Sequence, residues 1–160
     1  MTAFVEQRLL SSPLRWGMVG GGQGSQIGYS HRDAAARDGL MQLCAGDFDL
    51  DAARGRSFGM GLGLAAERCY GDYQTMFAAE TARPDGIQVV SIATPNSSHY
   101  AICKAALQAG LHVICEKPLT TRLEEALELQ ALAQAKGRVL GVMYGYTGYE
   151  MVQQARAMVQ

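Results

Sequence analysis

The sequence has almost no excess of charge of either sign: 14 Lys and Arg stand against 15 Asp and Glu, a formal net charge of -1. Without a strong positive field it cannot gather phosphate backbones or an anionic membrane surface, which sets nucleic acid and membrane aside as partners. Also lacking is any run near the roughly 18 consecutive apolar residues of a membrane span. The opening stretch carries Glu6, Gln7 and Arg8 where a secretory signal needs an unbroken apolar region, so a cytoplasmic protein is expected. The four cysteines, Cys44, Cys69, Cys103 and Cys115, show no short paired spacing of the kind that binds zinc or forms a redox couple. They are read as reduced packing residues, and no metal site is expected. There is no internal repeat and no low-complexity tract. A length of 160 residues leaves room for one domain with a single buried sheet, and not for a second.

What is present is a regular alternation of elements. Positions 14–19 are short and apolar and run straight into glycines, and a helix-spaced segment over 26–38 follows before Gly39 stops it. A second strand is predicted over 41–45. Asp51 is placed to cap a helix that runs through Arg56 and fades in Gly59, Gly61 and Gly63, and Asp72 to cap a short one over 73–80. The run 87–93 is β-branched and apolar with no alternation beyond Gln88 and Ser91, the mark of a strand covered on both faces and therefore central. A helix over 98–109 ends at Gly110, and a strand over 112–115 is stopped by Glu116, Lys117 and Pro118. Thr121 and Glu124 form a capping box for the longest helix, which reaches Lys136 and ends at Gly137. A strand over 139–144 and a helix over 150–160 complete the series. Strands alternating with helices of this length need crossover connections. The expected architecture is therefore α/β, a doubly wound, mostly parallel sheet with helices on both faces. In such sheets ligands bind beyond the C-terminal ends of the strands, where the strand order reverses, so chemistry is sought in the loops after strands.

Val19-Gly20-Gly21-Gly22-Gln23-Gly24-Ser25-Gln26-Ile27-Gly28 joins the first strand to the first helix. Backbone N–H groups at a helix N-terminus bind the negative charge of a diphosphate, and glycine removes the Cβ that would hold the backbone away. Gly20 is the candidate for the tight turn and Gly22 for the close approach. Gly24, Ser25 or Gly28 can each supply the helix packing, because the loop has more glycines than a dinucleotide fingerprint needs. Gln23 and Ile27 complete the candidate contacts. About 20 to 25 residues further on, Asp47 and Asp49 stand at the end of the second strand, where an acidic side chain accepts hydrogen bonds from adenine ribose hydroxyls. Both also suit turn or cap positions. Arg54 and Arg56 lie nearby and can meet a 2′-phosphate instead, so NAD is favoured over NADP only slightly.

Two more clusters fall at predicted strand ends, Ala93-Thr94-Pro95-Asn96-Ser97-Ser98-His99 and Cys115-Glu116-Lys117-Pro118. A lysine in such a place can donate a hydrogen bond to an oxygen that gains charge, or relay a proton when its pKa is lowered. The alternative is a solvated surface ammonium. Taken together, the glycine loop, Thr94-Pro95-Asn96-x-x-His99 and Glu116-Lys117-Pro118, in that order and spacing, resemble the glucose-fructose oxidoreductase, inositol dehydrogenase and MocA (Gfo/Idh/MocA) family over about residues 14–150. The resemblance implies a Rossmann-type NAD(P)-binding domain over 14–150, preceded by a leader at 1–13. It implies that Lys117 is the catalytic residue, in contact with the substrate hydroxyl that loses or gains hydride. It also implies that Thr94, Pro95 and Asn96 line the nicotinamide side and that Glu116 and Lys117 border the cofactor. His99 matches the family's histidine. Near a helix start it suits capping and packing as well as a place at the cofactor, and the structural role is favoured. Tyr144 to Tyr149, after the last strand, either borders the substrate pocket or is an aromatic linker.

Members of that family carry a second half, an open sheet that closes the substrate site and makes much of the subunit contact. Residues 151–160 would begin the connection to it, so the chain is expected to be a fragment that binds NAD or NADP with little or no turnover. The parent enzyme implied is a homo-oligomer that moves a hydride between nicotinamide and a hydroxyl-bearing carbon of a sugar, cyclitol or related polyol. An exposed apolar patch is expected where the second half would pack. Two other readings stay open. One is a non-catalytic NAD(H)-binding sensor or regulatory module. The other is a methyltransferase, whose sheet has a similar glycine loop and acid but no evident use for Glu116-Lys117-Pro118.

Overall fold

The computed structural model describes residues 12–37 and 39–159. Residues 1–11 of the expected leader, and the predicted helix ends at Asp38 and Gln160, lie outside the described residues. Five strands alternate with six helices: β1 (Leu14–Gly20), α1 (Gln26–Arg37), β2 (Met41–Asp47), α2 (Ala52–Gly61), α3 (Tyr73–Thr81), β3 (Val89–Ala93), α4 (His99–Gln108), β4 (His112–Glu116), α5 (Leu123–Lys136), β5 (Leu140–Met143) and α6 (Glu150–Val159). Short 3-10 turns stand at Ala66–Arg68, Asn96–Ser98 and Gly145–Gly148. The strands form one parallel sheet in the order β2-β1-β3-β4-β5. As predicted, β3 is central, and all of its residues are buried.

Side chains of a strand alternate between faces, and β3 accordingly feeds two separate cores. Val90 and Ile92 join Val113 and Cys115 beneath side chains of α3, α4 and α5, among them Phe77, Leu107 and Leu129. Val89 and Ala93 join Trp16, Met18 and Phe48, with Ala35 of α1 and Phe58 of α2 packed against them. Full burial of a side chain such as Ile92 or Leu107 stabilises by about 1.5–3 kcal/mol. Two cores on opposite faces of one parallel sheet are what a doubly wound α/β domain requires. On the second face Trp16 donates its indole N–H to Ser91 Oγ (2.9 Å), so neither buried polar group is left without a partner.

The strand order reverses at β1. The chain steps outward to β2, then returns to lay β3 on the other side of β1. Gly20 and Ala93 are in register across β1 and β3, which brings the glycine loop and the Thr94 loop side by side at the switch point.

Several element boundaries can be set against those predicted. The helix that Asp51 caps, through Ala53 N–H (2.9 Å) and Arg54 N–H (3.0 Å), ends at Gly61, among the glycines where it was expected to fade. Gly55 and Gly59 are buried there, and a Cβ on Gly59 would meet Cys69 Sγ at 2.6 Å and the Phe48 ring at 3.0 Å. Tertiary contact at a missing side chain has overridden the low helix propensity of glycine. The helix expected to start behind Thr121 instead starts at Leu123, after an extended Arg122 with no side-chain cap. Glu124 and Glu125 still lie in its first turn, where they complement the helix dipole. Finally, the central strand begins at Val89 rather than Ile87, whose N–H is taken by the Glu80 carboxylate (3.3 Å). The four cysteines are free, three of them buried and Cys44 half-buried, in keeping with their reading as packing residues. Among the described residues no helix is long and apolar enough to cross a membrane.

Candidate functional site

The glycine loop turns with Gly20, Gly21 and Gly24 at φ of 76, 69 and 76°, a region that only glycine enters at little cost. Gly20 makes the tight turn, and a Cβ on it would meet Ala93 O and Thr94 Cγ2, both at 2.7 Å. The close approach at Gly22 is to the loop after β2, where a Cβ would meet Phe48 O at 2.3 Å. Of the three candidates for helix packing, Gly28 is the one pressed on the loop: a Cβ there would meet Gly21 O at 2.1 Å. Ser25 caps α1, its hydroxyl accepting from Gly28 N–H at 3.0 Å, three residues into the helix as capping geometry requires. Gln26 and Ile27 open that helix, and their N–H groups have no carbonyl of their own helix to bond. Gln23 and Gly24 sit exposed at the tip. Arg32, one turn below Gly28, donates to Gly21 O (2.6 Å) and lies over the Phe58 ring at 5.1 Å, so the loop is held from beneath.

Asp47 and Asp49, alike in sequence, differ in place. Asp49 is engaged: Arg54 bonds both its oxygens (2.9 and 3.2 Å), the Asp51 N–H bonds one of them (2.8 Å), and its pKa is held below the ordinary carboxylate value by Arg54 first and the Asp51 amide second. Asp47 ends β2 in register with Val19. Burial first, then the charges of Asp72 and Asp49, push its pKa up to about 6. Its carboxyl is thus half-buried and faces like charges.

Beyond β3, Thr94 is half-buried while Pro95 and Asn96 are exposed on the 3-10 turn. The Ser98 hydroxyl bonds Thr94 Oγ1 (2.8 Å) and Pro95 O (2.7 Å), so α4 starts one residue later than predicted. His99 is 1% exposed. Its Nδ1 faces Pro118 O (2.8 Å) and its Nε2 faces Thr94 O (2.9 Å), so one ring ties the loop after β3 to the loop after β4. The structural role favoured for His99 is the one its geometry serves. A neutral ring can donate to only one of these carbonyls at a time.

Glu116 ends β4, buried, with its Oε1 at 3.0 Å from Nε2 of His31 on α1 and its Oε2 accepting the Lys117 N–H at 3.1 Å. The Lys117–Pro118 peptide is cis, and the Lys117 side chain is exposed. Lys117 opens on a cavity of about 1050 Å³ that Ile27, His31, Glu116, Tyr144 and Tyr149 also line. Ile27, Glu116 and Lys117 are thus brought together there. Gly20, Gly22, Gly24, Asp47, Asp49, Thr94, Pro95 and Asn96 stand along the C-terminal rim of the sheet instead, outside the cavity wall.

A family model described as "Oxidoreductase family, NAD-binding Rossmann fold" matches residues 14–144. The chain belongs to the Gfo/Idh/MocA family. It is 60% identical over 155 residues to the "uncharacterized oxidoreductase YfiI" of Bacillus subtilis, a match covering 96% of this chain and 39% of that protein. An inositol dehydrogenase homolog from Azotobacter vinelandii, solved with NADH and myo-inositol, is 59% identical at a TM-score of 0.92, covering 94% of this chain and 40% of that one. The UDP-N-acetylglucosamine 3-dehydrogenase of Acidithiobacillus ferrooxidans is 34% identical over 130 residues, or 81% of this chain and 36% of that enzyme. The chain spans about two fifths of the length of these relatives. Membership of an oxidoreductase family with an NAD-binding Rossmann fold leaves the methyltransferase reading without support.

Sequence reasoning missed one residue that the structure brings to Glu116 and the cavity, His31. It and Gly28 are the buried residues of α1. The signal was their spacing: a histidine three residues after the packing glycine lies on the same inward face. The tyrosine segment is exposed, with Tyr146 and Tyr149 edge to face at 5.4 Å. Met143, Met151, Met158 and Val159 are exposed as well.

Proposed function

We propose that this chain holds the nicotinamide dinucleotide of a dehydrogenase that acts on a hydroxyl-bearing carbon of a sugar, cyclitol or related polyol. The observation that carries the proposal is the meeting of the glycine loop and the Thr94 loop where the strand order reverses, with Lys117 opening on the same cavity as Ile27. The residues fit such a cofactor. Exposed amides open α1 at a loop that admits no Cβ at Gly20, Gly22 or Gly28, and Asp47 stands half-buried at the end of β2 to accept ribose hydroxyls. Gly20, Gly22, Gln23, Gly24, Ser25 and Ile27 grip the diphosphate, and Thr94, Pro95, Asn96 and Glu116 border the nicotinamide, with His99 fixing that border from behind. Arg54 is taken up by Asp49 and lies 4.0 Å from Asp51, which leaves less positive charge for a 2′-phosphate and supports NAD over NADP. Myo-inositol in the Azotobacter homolog's complex supports a polyol substrate. Four free thiols suit a reducing compartment and so a cytoplasmic setting.

Bound nicotinamide supplies the hydride acceptor. Lys117 acts on the substrate oxygen: as an ammonium it donates a hydrogen bond to the oxygen, and as a free amine it takes the hydroxyl proton while the carbon gives up hydride. The test begins with the chain as it is, titrated with NADH, NADPH and S-adenosylmethionine and followed by nicotinamide fluorescence and heat. NADH binds saturably and more tightly than NADPH, and S-adenosylmethionine gives no heat. Loss of a saturable NADH signal would remove the proposal. Lys117→Ala leaves NADH affinity within about twofold and abolishes polyol-dependent NADH formation wherever the wild type supports it.

A further inference from the structure

Lys117 leaves the sheet beside two buried histidines, one on each face. His99, on the α4 side, grips the backbone of the next residue through Pro118 O. His31, on the α1 side, works through a side chain. Its imidazole and the Glu116 carboxyl are only 5% and 10% exposed, so water is scarce as an alternative partner. A carboxylate only accepts hydrogen bonds, so Nε2 of His31 carries the hydrogen and donates it to Oε1. With Oε1 held in this way, Oε2 is aimed back along the chain and accepts the Lys117 N–H. If the histidine donor were removed, a buried carboxylate would lose one of its two bonds and would turn toward solvent to replace it. The same rotation would release the Lys117 amide.

The other end of this connection is the glycine loop. Gly28 and His31 face inward one turn apart on α1, Gly28 against Gly21 and His31 against Glu116. One helix is therefore pinned at both the diphosphate loop and the strand end that bears Lys117.

We infer that His31 is the positioning residue for Lys117, acting through Glu116 to set the direction in which the lysine leaves β4. This rests on the reading of Lys117 as the catalytic residue. His31 acts on no substrate atom itself, and its contribution passes along Nε2–H to Oε1 and from Oε2 to the Lys117 N–H.

The test reads the Lys117 amide directly. Hydrogen exchange is measured residue by residue on the wild-type chain, His31→Ala and His31→Gln, with Val90 and Ile92 of the central strand as reporters of general stability. In His31→Ala the Lys117 amide exchanges about tenfold faster, while Val90 and Ile92 change by less than about twofold. His31→Gln, whose side-chain N–H can reach the position of Nε2, returns Lys117 to within about threefold of the wild type. If His31→Ala does not fold, His31→Asn, too short to reach Glu116, replaces it. An unchanged Lys117 amide, equal loosening at Val90 and Ile92, or no recovery in a well-folded His31→Gln would each overturn the inference. NADH emission recorded on the same samples separates the two readings. Failure of the wild type to bind NADH overturns the functional proposal, whereas the exchange pattern decides the positioning.

Discussion

The two ends of the site are built from different materials. The nucleotide end is backbone: Gly20, Gly21 and Gly24 in the left-handed region, Gly28 against Gly21 O, Gly22 against Phe48 O. The lysine end is held by buried side chains, His31 and Glu116 from one face and His99 from the other. A backbone site fails sterically and all at once, because a Cβ at Gly20, Gly22 or Gly28 must displace main chain. A site held by side chains weakens one hydrogen bond at a time.

The largest effect that follows is at the backbone end. Gly20→Val combines a β-branched residue at φ of 76° with a Cβ at 2.7 Å from Ala93 O, which costs about 3 kcal/mol or more. Urea unfolding of the variant reads it directly, and a loss under about 1 kcal/mol would break the contrast. At the lysine end, Glu116→Ala leaves the His31 donor buried without an acceptor, a loss of about 1–3 kcal/mol. Glu116→Gln keeps one of the two bonds and falls between Ala and wild type. Equal losses for Ala and Gln would show that this end is not graded after all.

A further effect is a pH dependence carried by Asp47. Its folded-state pKa of about 6 lies above the ordinary 3.8, so between these values the folded state binds more protons than the unfolded one. Stability contributed by this group is therefore present below 3.8 and is lost as pH rises through about 6. Thermal melts of wild type and Asp47→Asn converge on acidification, and the variant loses this slope. NADH affinity runs the opposite way, rising through about pH 6 as the carboxylate becomes able to accept ribose hydroxyls. A pH-independent affinity in the wild type would assign the ribose contact elsewhere.

These differences in material also explain what could be read from the sequence. The glycine loop was legible because a run of glycines between an apolar strand and a helix has few other uses, and the buried β-branched run at Val89–Ala93 marks a central strand by composition alone. Which glycine does what was not legible, since only the fold sets Gly24 at φ of 76° beside open space and Gly28 inside α1 against Gly21 O. Asp47 and Asp49 could not be separated for the same reason, because Arg54 reaches back five residues to only one of them. Gly59 looked like a helix breaker until Phe48 and Cys69 were found where its side chain would be. Thr121 looked like a cap, but the extended backbone at Arg122 delays the helix, and the nearby Thr120 hydroxyl bonds Arg122 O (2.7 Å). The spacing of His31 from Gly28 marks an inward face, but its partner, Glu116, could not be read because it lies 85 positions away. Local pattern gave the elements and the motif order. Contacts between distant segments gave the assignment of roles.

The chain contains a single tryptophan, and the fold has put it in an informative place. Trp16 is fixed in β1, four residues before Gly20, with its indole tied to Ser91 and one edge on the cavity that Lys117 shares. Energy transfer from an excited indole to a reduced nicotinamide falls steeply with separation. The molecule thus has its own optical ruler, and the dimming of Trp16 on addition of NADH would measure how near the dihydropyridine ring comes to β1 with no label attached.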